Sequence, residues 1–221
     1  SPTTSSVDPR EVMASLVRDA QAASIEILAG TRYLGQGQNG VMTSKGGIAT
    51  GYVINAAGLY ADRIARDFGF ARDYRILPFK GLYLYANEGA NAVRTNIYPV
   101  PDLANPFLGV HYTVTADHKV KIGPTAAPAF WREHYTGIAN INLVELGEIV
   151  AREAGLFLRN DFGFRHLALS ELRKYSKKRM VSMAACLATG VDPRNYTDWG
   201  RPGVRAQLLN IRERRLEIPD V

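Results

Sequence analysis

The sequence predicts a mixed chain, an α/β element followed by an α+β region built on antiparallel strands. Three observations predict it. The run 51–58, Gly-Tyr-Val-Ile-Asn-Ala-Ala-Gly, is apolar with Val53 and Ile54 side by side, and a helical pattern follows over 59–68. That is the pattern of a strand buried on both faces, a small-residue turn and a helix, with ligands expected beyond the strand's carboxyl end. Beyond Asp73 the strands lengthen, and Val110, Tyr112 and Val114 alternate with His111, Thr113 and Thr115, the period of a strand with two different faces. From Ile141 the spacing turns helical, over 143–154, 169–176 and 178–187.

Taken in order, Asp8-Pro9-Arg10-Glu11 starts a helix. Asp8 caps free N–H groups, Pro9 suits the first helical position and Glu11 completes a capping-box pattern. Val12, Leu16, Val17 and Ala20 share a face, so this helix, running to about Ala23, is expected to pack against something. Short β-rich runs at 24–28, 31–35, 41–44 and 47–50, separated by glycine turns, predict a meander. A domain boundary is expected near 71–75. Strands follow at 75–77, 81–86, 96–99, 108–115 and 119–123, with Asp117-His118 turning the last two into a hairpin. A returning strand is predicted at 202–211. The expected organisation is three parts, 1–72, 73–200 and 201–221.

With 221 residues, 46% hydrophobic and 22% charged, the composition is that of an ordinary globular chain rather than a disordered one. No run approaches the roughly 18 apolar residues of a membrane-spanning helix, and the first residues carry no signal pattern. A cytoplasmic location is expected, peripheral to the membrane at most in a complete enzyme. The lone Cys186 sits in MVSMAACLA and is expected to be a buried small hydrophobe. The net charge of +6 is scattered apart from the run 173–179, so no nucleic-acid partner is expected. His111, His118, His134 and His166 lack companions at metal-ligand spacing, so no metal is expected.

Gly35-Gln36-Gly37-Gln38-Asn39-Gly40 matches G-x-G-x-x-G, with Asp62 downstream. The dinucleotide fingerprint needs glycines that close a strand and open a helix whose N-terminus meets the pyrophosphate. Here Val41-Met42-Thr43 and another Gly-Gly turn follow, so the run is read as a hairpin loop.

Three strings carry a resemblance. GYVINAAGLYADRIARDFG (51–69) looks like the strand, turn and helix with which D-amino-acid-oxidase-like flavoproteins return to the flavin domain. ILPFKGLYLY (76–85), with TNIYPVPDLANPFLGVHYTVTADHKVKIGPTA (95–126), resembles the substrate domain of the L-2-hydroxyglutarate dehydrogenases and oxidases, and GRPGVRAQL (200–208) resembles their later strand. The resemblance implies part of an FAD-binding Rossmann-like domain joined to an antiparallel-sheet substrate domain. It also implies an internal fragment lacking the N-terminal glycine fingerprint. FAD is then the cofactor of the complete enzyme, and its binding by this polypeptide is in question.

The implied reaction is hydride removal from a 2-hydroxy acid, most closely L-2-hydroxyglutarate, a small dicarboxylate. A glycine- or sarcosine-oxidase-like amine oxidase and a non-catalytic fragment are the alternatives. Such a site needs fixed cations and one titratable group. Arg205 stands where these oxidases use an arginine, and its guanidinium suits a carboxylate clamp. His111, facing away from the apolar side of its strand, can accept the hydroxyl proton or bind the substrate's carboxylate. Lys80, before Gly81, offers charge near flavin or substrate, and Tyr83 and Tyr112 are expected to line the substrate cavity. Ala56, Ala57 and Gly58 are expected to let the chain pass close to the flavin, and Tyr33 to lie near the adenine.

Overall fold

The computed structural model describes residues 5–87, 93–100, 109–173 and 175–217. Leu108, Lys174 and the tail 218–221 of the predicted elements lie outside them. The chain divides into two compact units, Val7–Arg75 and a larger one that comprises Ser1–Ser6 and Ile76–Val221.

In the first unit Asp8 caps α1 (Pro9–Ala22), its carboxylate accepting from the Arg10 backbone N–H at 2.8 Å. The face expected to pack is open, with Leu16 55% exposed and Val12 and Val17 also exposed. The apolar periodicity marked a face fit for burial, and no described residue covers it. A meander follows, β1 (Tyr33–Gly37), β2 (Gly40–Thr43) and β3 (Gly46–Ala49), antiparallel in that order. The predicted strand at 24–28 is irregular chain. Gly37 pairs with Gly40 across the β1–β2 hairpin, so the G-x-G-x-x-G run is a hairpin.

The run 51–58 corrects another expectation. It forms no strand and pairs with no described strand, and Tyr52 and Ile54 are 94% and 92% exposed. Adjacent β-branched side chains suit a strand covered on both faces, and neither cover is found among the described residues. Asn55 ties the run to the start of the next helix, donating from Nδ2 to Ala61 O at 2.8 Å. A 3-10 turn (Gly58–Tyr60) leads into that helix, α2 (Ala61–Asp67).

The second unit holds two four-stranded antiparallel sheets. β4 (Tyr74–Gly81) pairs with β8 (Ala127–Pro128) and β10 (Gly203–Asn210), and β11 (Arg215–Leu216) completes the order β11-β10-β4-β8. The other order is β6-β7-β5-β9, from β5 (Leu84–Ala86), β6 (His111–Val114), β7 (Val120–Gly123) and β9 (Tyr196–Trp199). Residues 82–83 and 200–202 connect the sheets. Ile97, within the predicted strand 96–99, forms a single bridge to Tyr112.

Asn142 caps α3 (Leu143–Arg159) through its Oδ1, and Asn160, left-handed at φ 56°, ends it, as a short polar side chain does readily. α4 (Phe164–Arg173) and α5 (Lys177–Ala185) follow. Leu77 and Phe79 of β4 share one core with Ile149 and Leu156 of α3 and Phe164 of α4. Leu84, Tyr112, Val120 and Ile122 share the other with Met180 and Ala184 of α5. Cys186 lies just past the buried stripe of α5 and is exposed, correcting the expectation that it is buried. No described helix is long and apolar enough to cross a membrane.

Candidate functional site

The β6–β7 hairpin has two faces of opposite character. Its turn is closed by Thr115, whose hydroxyl donates to Asp117 at 2.6 Å, with His118 left-handed at φ 57°. Tyr112 pairs with Ile122, which pairs with Leu84, so these three side chains fall on the core face. Tyr112 is 1% exposed and meets the Tyr196 ring edge-on at 5.9 Å. Its expected place in a substrate cavity is therefore corrected: it is a core residue, as strand alternation requires of a neighbour of His111.

The opposite face carries His111, Thr113, Lys121 and Tyr85, because Thr113 pairs with Lys121 and Lys121 with Tyr85. His111 is half-buried beside Tyr98, ring centroids 4.7 Å apart. Its Nδ1 lies 3.1 Å from Gly109 O. A carbonyl only accepts, so Nδ1 carries the proton and Nε2 presents its lone pair. Burial holds the His111 pKa below its usual value, and the positive charges of Arg205 and Lys121 lower it further, against the Gly109 bond. His111 is thus neutral at neutral pH.

Arg205 is exposed on β10, in the other sheet, and its charge reaches this face. Its charge acts on both His111 and Tyr83, where burial raises the phenol's pKa and Arg205 opposes the rise. The structure therefore brings together His111, Arg205 and Tyr83, three of the five residues expected at the substrate. Lys121 joins them with its Nζ 4.4 Å from the Tyr83 ring centroid. Sequence reasoning missed it, and the available signal was its parity with His111 across the hairpin turn.

Lys80 lies on β4, the strand next to β10, which carries Arg205. It pairs with Ala127 on β4, is 8% exposed, and has its pKa lowered by burial. Its charge is felt by His134, whose pKa falls through burial first and Lys80 second. Among the described residues no group of three or more His, Cys, Asp or Glu could hold a metal ion.

The remaining candidates lie in the first unit, which has its own cavity of about 480 Å³ lined in part by Gly37, Asn39, Gly51, Val53, Asn55 and Phe68. Ala56 and Ala57 follow this lining. Gly58 adopts φ +52°, and a Cβ there would have no atom within 4 Å. Tyr33 has its ring centroid 6.4 Å from that of Phe68, and burial followed by the Asp67 carboxylate raises its pKa.

A family model described as FAD dependent oxidoreductase matches residues 1–204. The chain is 42% identical over 211 residues to the mitochondrial L-2-hydroxyglutarate dehydrogenase of Mus musculus, an alignment covering 92% of this chain and 44% of that protein. It is 34% identical over 207 residues to the L-2-hydroxyglutarate dehydrogenase of Indibacter alkaliphilus, covering 88% of this chain and 51% of the relative. The chain thus spans about half the length of these curated relatives. The crystal structure of glycine oxidase from Geobacillus kaustophilus superposes with a TM-score of 0.52 at 14% identity, covering 88% of this chain and 41% of that one. That likeness is one of fold, a mixed α/β chain with antiparallel sheets.

Proposed function

Because the chain belongs to the FAD dependent oxidoreductase family, we propose that it supplies the substrate side of an enzyme oxidising a 2-hydroxy acid, L-2-hydroxyglutarate to 2-oxoglutarate. In this reading the first unit is part of an FAD-binding Rossmann-like domain and the second is the substrate domain. The observation that carries it is half-buried His111, its Nδ1 held by Gly109 O, lying within the field of the Arg205 charge.

Bound FAD supplies the hydride acceptor. Arg205, which has no ion pair among the described residues, binds the carboxylate next to the reacting carbon through two parallel N–H groups. His111 takes the hydroxyl proton at Nε2, while Gly109 O holds the ring in that tautomer. Tyr83 walls the same face. Lys80, buried on β4, supplies positive charge from within the fold.

The residues 56–58 fit one edge of a flat ring system. Two alanines and a glycine leave open space where a Cβ at Gly58 would stand. No described glycine turn closes a strand and opens a helix, so the diphosphate is assigned to none of them. Tyr33 is the residue we assign to the adenine.

The test is to incubate the purified chain with FAD, record its visible absorption, and add substrates anaerobically. L-2-hydroxyglutarate is expected to bleach the flavin, and glycine and sarcosine to leave it oxidised. Bleaching by the amines alone sinks the hydroxy-acid reading. A chain that takes up no flavin overturns the assignment of residues 56–58. His111→Asn is expected to slow bleaching by about 10²–10⁴-fold. In the unsubstituted protein the rate should fall on acidification below the usual histidine pKa of 6.5, because protonation at Nε2 removes the base; the variant should lose that limb.

A further inference from the structure

We propose that Lys121, seated against Tyr83 and Tyr85, is the second anion-binding point of this site and makes it selective for a dicarboxylate. Arg205 takes the carboxylate beside the reacting carbon, and Lys121 takes the one at the far end of the substrate. The inference rests on the reading of His111 and Arg205 as the substrate site.

The register places Lys121 there. His111 pairs with Gly123 and Thr113 with Lys121, so Lys121 lies on the face of His111, two positions along the strand. Two strand residues span about 7 Å, the scale on which one small molecule can touch both side chains. The Lys121 ammonium stands 4.4 Å from the Tyr83 ring centroid and 5.9 Å from that of Tyr85, attracted to the negative faces of both rings.

The rings in turn are confined by backbone. A Cβ on Gly200 would lie 2.5 Å from Cε2 of Tyr85, and one on Gly123 would lie 2.9 Å from Cδ1 of Tyr83. The Gly200 N–H also donates to Tyr83 O at 2.9 Å. Two glycines therefore hold open the slots that the two tyrosines fill, and the tyrosines fix where the ammonium points.

The charge remains available to a ligand. Neither Lys121 nor Arg205 is in an ion pair among the described residues. Asp117, the carboxylate whose field reaches Lys121, is bound to Lys119 at 2.8 Å. A half-buried ammonium with no carboxylate of its own gains from an incoming anion more than a fully solvated one does. A monocarboxylate would engage Arg205 alone.

The test is calorimetric titration of the full chain, without flavin, with L-2-hydroxyglutarate and with L-2-hydroxybutyrate, which lacks only the far carboxylate. The unsubstituted chain is expected to prefer the dicarboxylate by about tenfold to a hundredfold, the range of one charge-assisted contact. Lys121→Met should erase that preference by weakening L-2-hydroxyglutarate far more than L-2-hydroxybutyrate, and Lys121→Arg should preserve it. Arg205→Met should weaken both ligands. Equal affinity of the unsubstituted chain for the two ligands overturns the role of Lys121 while leaving the Arg205 site standing. Equal weakening of both ligands by Lys121→Met also overturns it. Absence of binding by either ligand overturns this inference together with the reading beneath it.

Discussion

The two units differ in what they bury. From Ile76 onward the described chain holds every buried apolar side chain, most of them in two clusters under two sheets. Within Val7–Arg75 the one buried residue among those described is Asp62, held by Arg66 at 3.1 Å. Both units have helices, caps and antiparallel hairpins of ordinary geometry. Local rules therefore suffice to shape a segment, whereas a core requires that apolar faces from distant segments meet.

The comparison predicts unequal responses to truncation. Phe79→Ala, in the β4 core, is expected to cost about 3–5 kcal/mol, and Leu16→Ala, on the open face of α1, less than about 0.5 kcal/mol. Chemical denaturation monitored separately in each unit would check this. A large loss at Leu16 would mean that α1 is covered in solution, and the contrast would fail.

The second prediction probes an imperfection in the better-packed unit. Glu153 lies on the buried stripe of α3 between Ile149 and Leu156, its Oε1 has no hydrogen-bond partner, and burial raises its pKa to about 8. The folded state therefore holds a proton that the unfolded chain releases near pH 4.5. Its contribution is fully present below that pH and is lost as pH climbs toward 8, on the order of 1 kcal/mol per pH unit. Glu153→Gln should flatten the slope and raise stability at pH 8. An unchanged slope in the variant would exclude Glu153 as its source.

The smallest effect is expected at the start of α1. Asp8→Ala removes the cap on the Arg10 N–H and should cost about 1 kcal/mol of local helix stability. The readout is faster amide exchange in the first turns of α1, with exchange in β6 and β7 unmoved. Faster exchange in both places would show that the units unfold together.

Much of this architecture was legible in the sequence. The Asp8-Pro9 start, the 41–44 and 47–50 strands, the Asp117-His118 turn and the β10 strand each depend on residues close in the chain. The fate of 51–58 did not, because its composition states a need for cover on two faces and cannot say what provides it. β9 was missed because Tyr-Thr-Asp-Trp is short and half polar, and pairing with β5 rather than local pattern makes it a strand. Within the site, alternation had already set Tyr112 opposite to His111. The resemblance and its aromatic character suggested a cavity, and parity with His111 was the better guide. Lys121 went unnoticed since a lysine alternating with Val120 and Ile122 reads as a solvent-facing residue. The tyrosines that make it distinctive arrive from β5 and the connector before it, at a distance no local window spans.

Residues 200–202 leave β9 in one sheet and enter β10 in the other, while the Gly200 N–H is bonded to Tyr83 O. This short connector therefore acts as a spacer of fixed count between the tyrosine wall and Arg205. One inserted residue would shift β10 by one position, and because successive strand side chains point to opposite faces, the guanidinium would turn away from His111 while both sheets remained intact.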